Sequence, residues 1–183
     1  SDPCDILFLH TGVEFIPFPS AEVVETSLEF LRRGVRVVVN SHPHIAQGYL
    51  QTPEGLVIFS PGNFVYPEFP EEGIEWAIEH ELSVVYKLRI CPDGVEIEEA
   101  CTARYDSKGH RVDIVSDRMP SFARRSRSSL LAGRFVEGWR WGCRFYLAMR
   151  IRGFLMRLVR EPGRFLRAFR ADFWWALLAR VRS

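Results

Sequence analysis

The chain has 183 residues, of which 47% are apolar and 26% are charged. This composition is typical of a folded globular protein and excludes a disordered or fibrous chain. The net charge of +1 conceals two opposed regions. Residues 1–117 contain 20 acidic and 8 basic side chains, whereas residues 118–183 contain 16 arginines and 3 acidic side chains. We therefore expect these two regions to have different functions.

The amino-terminal residues have the pattern of a β-α-β unit. The apolar run 5–9 predicts a strand buried on both faces, and the β-branched run 35–39 predicts a second one. Between them, Ser20 is a suitable N-cap for a helix that stops at Gly34. Two strands joined by a helix should lie parallel in one sheet.

The chain after residue 47 has the pattern of antiparallel hairpins. Pro and Gly separate the apolar runs at positions that tight turns require. We therefore predict an α/β fold that starts as β-α-β and continues into a mixed sheet with antiparallel hairpins. The predicted strands cover residues 48–51, 56–59, 81–90, 95–105 and 110–116.

Three histidines follow the predicted parallel strands directly. His10 closes the first strand, and His42 and His44 flank Pro43 just after the second. In open α/β sheets, ligands bind at the carboxyl ends of the strands. Pro43 favours an extended His42, and residues two apart in an extended segment point to the same side. The sequence thus predicts a metal site, with hydrogen-bonded loop histidines as the alternative.

Other residues with polar or reactive side chains have simpler interpretations. Glu14 is either a solvated loop carboxylate or a group that orients a ligand or relays a proton. His80 and His110 fall on predicted hairpins, and we expect them to be structural. The four cysteines contain no C-x-x-C pair, and only Cys91 and Cys101 could face each other across a hairpin.

Three short motifs together identify a family resemblance. They are H-T-G-V-E at 10–14, V-V-V-N-S-H-P-H at 37–44 and F-S-P-G-N-F at 59–64. In this order they resemble the C-terminal half of the CapA family of bacterial capsule and poly-γ-glutamate synthesis proteins, over about residues 4–116. That family is similar to the calcineurin-type metallophosphoesterases. The resemblance implies half of a metallophosphoesterase-like sandwich in the bacterial cell envelope, associated with the membrane, although a cytoplasmic location stays open.

The resemblance also implies roles for five residues. It assigns His10, His42 and His44 as ligands of a centre of two divalent ions, Mn, Fe or Zn, and it places Glu14 and Asn63 at catalytic positions. Such a centre polarises a phosphoryl oxygen and activates water for hydrolysis. The implied function is a metal-dependent hydrolase in exopolymer biosynthesis, acting on a phosphoester or an anionic polymer. The alternative is a non-catalytic, membrane-associated assembly or polymer-binding component with the same fold.

Two departures from the family pattern bear on this interpretation. Asn40 stands where the family usually has Gly, close to the predicted ligands. The family's early Asp-x-His, Gly-Asp and Gly-Asn motifs do not precede His10, which has nine residues before it. The chain therefore resembles the second half of a domain whose first half is lost, split off or on another chain, with residues 1–117 forming the C-terminal half.

The basic region is predicted to be a linker, 118–128, followed by a helical tail, 129–183. Ile151, Leu155 and Leu158 recur at helical spacing, and arginines fall on the other side. Pro162 should end this helix before a second one. The tail either docks on the acidic domain or a partner helix, or lies on an anionic membrane surface. Binding to nucleic acid is less favoured, because the apolar residues gather on one face.

Overall fold

The computed structural model describes residues 5–65, 82–106 and 109–160, and it confirms the predicted α/β fold class. Each predicted strand occurs within two residues of its expected position. His80 lies outside the described residues. The elements are β1 (Ile6–His10), α1 (Ala21–Arg32), β2 (Val37–Ser41), β3 (Tyr49–Thr52), β4 (Gly55–Ile58), β5 (Leu82–Cys91), β6 (Gly94–Asp106), β7 (Arg111–Ser116), α2 (Ser121–Leu131) and α3 (Phe135–Arg160).

The first four strands form a mixed sheet in the order β1-β2-β4-β3. β1 and β2 pair in parallel, with Ile6 opposite Val37 and His10 opposite Ser41, whereas β3 runs antiparallel to β4. The helix α1 makes the crossover, and the Ser20 side chain accepts a hydrogen bond from Val23 N at 3.3 Å, as an N-cap should. Because β1 and β2 are parallel, their carboxyl ends meet at one edge.

The inner strands of the mixed sheet, β2 and β4, are largely buried on both faces. The prediction that the first strand is buried on both faces is wrong, because β1 is an edge strand that exposes Ile6 and Phe8. On one face, Val24 and Leu31 of α1 pack with Val38 and Val57 of the sheet. Burying each such side chain contributes about 1.5–3 kcal/mol to folding, so this layer fixes where the strand ends lie. On the other face, Val37, Leu56 and Ile58 contact Val95, together with apolar residues of β5 and β6.

The second sheet is antiparallel, in the order β5-β6-β7. It packs on the first sheet, so the described part of the chain contains the expected sandwich. The prediction that Cys91 and Cys101 face each other is wrong, because Cys91 lies opposite Gly94 and Cys101 lies opposite Val85. Both cysteines are free thiols. The turn of the hairpin falls too close to Cys91 for the two positions to be paired.

The segment 118–128, predicted as a linker, is instead largely the helix α2. Its buried residues Phe122, Ser126 and Leu130 recur every fourth residue and face the domain. The backbone of Arg127 lies so close to Gly48 that a Cβ on Gly48 would be 2.4 Å from Arg127 N. The helix therefore packs on the sandwich, while the predicted domain boundaries themselves stay a prediction.

The helix α3 begins against the loop that follows β1. Trp141 packs edge-on to Phe18, with ring centroids 5.4 Å apart, and a Cβ on Gly138 would lie 2.7 Å from Phe18 Cδ1. Contacts divide the chain into two units, Ser1–Arg144 and Phe145–Ser183. Among the described helices, none is long and apolar enough to cross a bilayer. The helix predicted after Pro162 lies outside the described residues.

Candidate metal site

The three predicted histidine ligands meet at the carboxyl edge of the parallel strands. His10 is the last residue of β1, and His42 and His44 follow β2. The ring centroids of His10 and His42 are 4.7 Å apart, and those of His42 and His44 are 6.0 Å apart. The parallel pairing of β1 with β2 produces this juxtaposition, as the sequence predicted.

The loop that carries His42 and His44 has an unusual backbone. His42 has φ 128° and His44 has φ 56°, so the expectation of a regular extended His-Pro-His segment is wrong. The facing loop supports this conformation, because Phe15 N donates to Pro43 O at 2.7 Å. Gly12, with φ 126°, lies so close that a Cβ there would be 3.1 Å from Pro43 Cγ. Contacts between these two loops therefore hold the backbone of both histidines in a strained conformation.

His10 and His42 form a close pair of imidazoles. His10 Nε2 lies 3.1 Å from His42 Nδ1, and His10 Nδ1 lies 3.3 Å from Ser41 Oγ. The Ser41 hydroxyl donates to Leu9 O at 3.5 Å, so its oxygen is available to accept from His10 Nδ1. With its proton on Nδ1, His10 presents the Nε2 lone pair to His42, so the 3.1 Å contact is a hydrogen bond from His42 Nδ1, as in the alternative of hydrogen-bonded loop histidines. Two nitrogen ligands on one ion at about 2.0–2.1 Å would be separated by about 3 Å.

The orientation of His44 is determined by Asn63. The Asn63 amide donates from Nδ2 to the backbone carbonyl of His44 at 3.1 Å, and its Oδ1 lies 2.8 Å from His44 Nδ1. The first contact identifies Oδ1 as the acceptor in the second, so His44 carries its proton on Nδ1. The lone pair is then on Nε2. This is the arrangement by which a neighbouring group presents a histidine to a metal.

Glu14 completes the cluster. Its Oε1 lies 3.9 Å from His44 Nε2, and one ligand atom each from Glu14, His42 and His44 lie within 4.8 Å of one another. The ring of Phe15 stacks on His44 at 5.8 Å between centroids. An imidazole and carboxylate donor set of this kind suits Zn, Fe and Mn. The residues present therefore fit a divalent metal ion.

A comparison with known protein families agrees with this arrangement. Residues 3–68 match the family model of the bacterial capsule synthesis protein PGA_cap. This confirms the capsule-synthesis resemblance over that segment, which contains the three motifs and all five predicted site residues. No curated protein matched the chain. The antiparallel sheet, α2 and α3 lie outside the matched residues.

Asn40, which stands where the family usually has Gly, does not contact the candidate metal site. Its side chain is fully buried, and Nδ2 donates to Ser27 Oγ of α1 at 3.0 Å. Ser27 in turn donates to Val23 O at 2.7 Å. Because alternate residues of a strand point to opposite faces, Asn40 faces α1.

Sequence analysis missed two supporting residues of the PGA_cap segment. The Ser41 hydroxyl contacts His10 Nδ1. The one sequence signal for this contact was the position of Ser41 directly after Asn40 in β2. Gln47 is almost fully buried and donates from Nε2 to Ile16 O at 2.8 Å, which ties together the two loops around the site. A polar residue between the apolar Ile45–Ala46 and Gly48 was the signal for such a buried contact.

Proposed function

We propose that the chain provides the histidine half of a metallophosphoesterase-type hydrolase that acts in the synthesis of a capsule or related exopolymer. The observation that carries this proposal is the convergence of His10, His42 and His44 with Glu14 at one sheet edge, within the PGA_cap match. The family supports a location at the cell envelope. A phosphoester, or an anionic polymer that carries one, is the substrate class that such a site accepts.

The residues of the cluster have different proposed roles in binding metal. His10 Nε2 and His42 Nδ1 would hold one ion, since their separation of 3.1 Å matches two ligands of a shared cation. His44 Nε2 and the Glu14 carboxylate would hold a second ion beside it. A bound divalent ion supplies Lewis acidity toward a phosphoryl oxygen and lowers the pKa of water. Asn63 acts as a positioning residue, because it fixes the His44 ring and its tautomer.

The site also needs carboxylate ligands beyond Glu14. In the described residues, Glu14 is the one carboxylate in the cluster, whereas centres with two ions commonly bridge them through carboxylates. We propose that the family's early Asp-x-His, Gly-Asp and Gly-Asn motifs provide these ligands. The exposed position open to them would be next to His10 on β1, the edge strand of the mixed sheet.

Hydrolysis of a chromogenic phosphodiester such as bis-p-nitrophenyl phosphate tests this function. The assay should contain Mn²⁺ or Zn²⁺ and use the full chain, with and without a co-expressed N-terminal half. We expect activity with both halves, and its loss in His42→Ala. The matched control is His110→Ala, which removes an imidazole that lies near Tyr105 and outside the cluster. No activity under any condition, or equal activity in His42→Ala, contradicts the proposal.

A non-catalytic role in binding an anionic polymer is the second candidate. It is favoured by the donor set among the described residues, in which His10 lies beside the group of Glu14, His42 and His44 and Glu14 is the single carboxylate. The two functions are distinguished by binding of poly-γ-glutamate to the metal-loaded chain. Polymer binding that depends on His42 and His44 without turnover of any phosphoester would support the binding role.

A further inference from the structure

The carboxyl-terminal part of α3 carries an exposed apolar row. Its members recur every fourth residue, so they share one side of the helix. Their exposed fractions are 50–77%, values unusual for a run of large apolar side chains. The members are Leu147, Ile151, Leu155 and Val159.

The start of α3 packs closely through two glycines. Gly138 and Gly142 allow close approach of Phe18 and Ile16, since a Cβ on Gly142 would lie 2.8 Å from Ile16 Cγ2. The apolar row lies beyond this packed start, and its described members are all exposed. It needs another apolar environment.

The charges around this row all have the same sign. From residue 144 to 160 the sequence contains five arginines and no acidic residue or lysine. Arg144 and Arg152 are exposed side chains of α3. An exposed apolar row with arginines beside it is the pattern of a helix that lies in a membrane interface, where apolar side chains enter the acyl boundary and arginines meet anionic headgroups.

We propose that the Leu147–Val159 row of α3 binds the surface of an anionic lipid bilayer. The row buries its apolar side chains at the boundary between headgroups and acyl chains, and Arg144 and Arg152 contact the lipid phosphates. Charge complementarity favours an anionic lipid surface over a second copy of the chain, because the second copy would bring the same arginines together. This binding is independent of the metal site.

Vesicle co-sedimentation of the full chain tests this proposal. Binding is compared between vesicles of phosphatidylcholine alone and vesicles containing one third phosphatidylglycerol. We expect binding to the anionic vesicles that weakens as salt is added. The double variant Ile151→Ser/Leu155→Ser should bind about tenfold more weakly or worse. The variant Arg144→Gln/Arg152→Gln should lose about fivefold per arginine on anionic vesicles.

The matched control is Ile114→Ser, which removes an isoleucine from β7 that is exposed at least as much as Ile151. It should bind vesicles as the parent chain does, and circular dichroism should show the same helix content in all variants. Equal binding by the Ile151→Ser/Leu155→Ser variant overturns the proposal. The proposal is also overturned if the parent chain does not bind anionic vesicles but forms a dimer that this variant abolishes. The row would then be an interface between two copies of the chain.

Discussion

Replacing Asn63 with alanine gives a quantitative test of how the site is built. The variant loses the 2.8 Å contact to His44 Nδ1 and the 3.1 Å bond to the His44 carbonyl. Each such bond contributes about 0.5–1.5 kcal/mol, so together they hold His44 with about 1–3 kcal/mol. This corresponds to a metal affinity lowered about 5- to 150-fold, in the range found when a group that orients a ligating histidine is removed.

Isothermal titration of the chain with Zn²⁺ and with Mn²⁺ measures this loss. The matched control is Gln51→Ala, because Gln51 also donates from its side-chain amide to a backbone carbonyl, that of Val95, but contacts no histidine. We expect Gln51→Ala to bind metal like the parent chain. If Asn63→Ala binds as tightly as the parent, then Asn63 does not position a ligand, and the tautomer assigned to His44 is wrong.

Three further predictions concern stability. Burial raises the pKa of the Tyr86 phenol far above its usual value, and its hydroxyl lacks a partner among the described residues. Tyr86→Phe should therefore leave the free energy of unfolding unchanged or raise it by up to about 1–3 kcal/mol. Because the folded state binds the phenol proton more tightly than the unfolded state, the free energy of unfolding is independent of this group below about pH 10 and falls as pH rises further, a fall that Tyr86→Phe should not show in denaturation. Ser27→Ala should cost about 1–3 kcal/mol, because it leaves the buried Asn40 amide without its acceptor, while metal content stays the same. Gly138→Val should cost about 1–3 kcal/mol in urea unfolding, because its Cβ would lie 2.6 Å from Ser129 Oγ; an unchanged midpoint would show that α3 does not pack closely there.

The parallel part of the fold and the meeting of the histidines could be predicted from sequence. The apolar runs of β1 and β2 determine a parallel pair, and that pairing places His10 beside Ser41 and His42 whatever the loops do. The backbone of the loops could not be predicted. The positive φ of His42 and His44 depends on the bond from Phe15 N to Pro43 O, a contact between residues distant in the chain.

The helix α2 was missed for a local reason. Pro120 is its N-cap and offers no side-chain hydrogen bond, and the run of Arg and Ser after it is typical of a loop. The buried row of Phe122, Ser126 and Leu130 contains a serine, so the apolar periodicity is weak in the sequence. Packing against the sheet, rather than helix propensity, stabilises this helix. A helix stabilised in this way cannot be predicted from the sequence before the sheet is known.

Metal content is the measurement that tests the central claim most directly. Elemental analysis of the purified chain, after incubation with Mn²⁺, Fe²⁺ or Zn²⁺ and removal of free ions, should find bound metal in the parent. It should find none in His42→Ala/His44→Ala, whose circular dichroism should still match the parent, since both side chains lie on loops beyond β2. Equal metal content in the parent and this variant would contradict the assignment of these histidines as ligands.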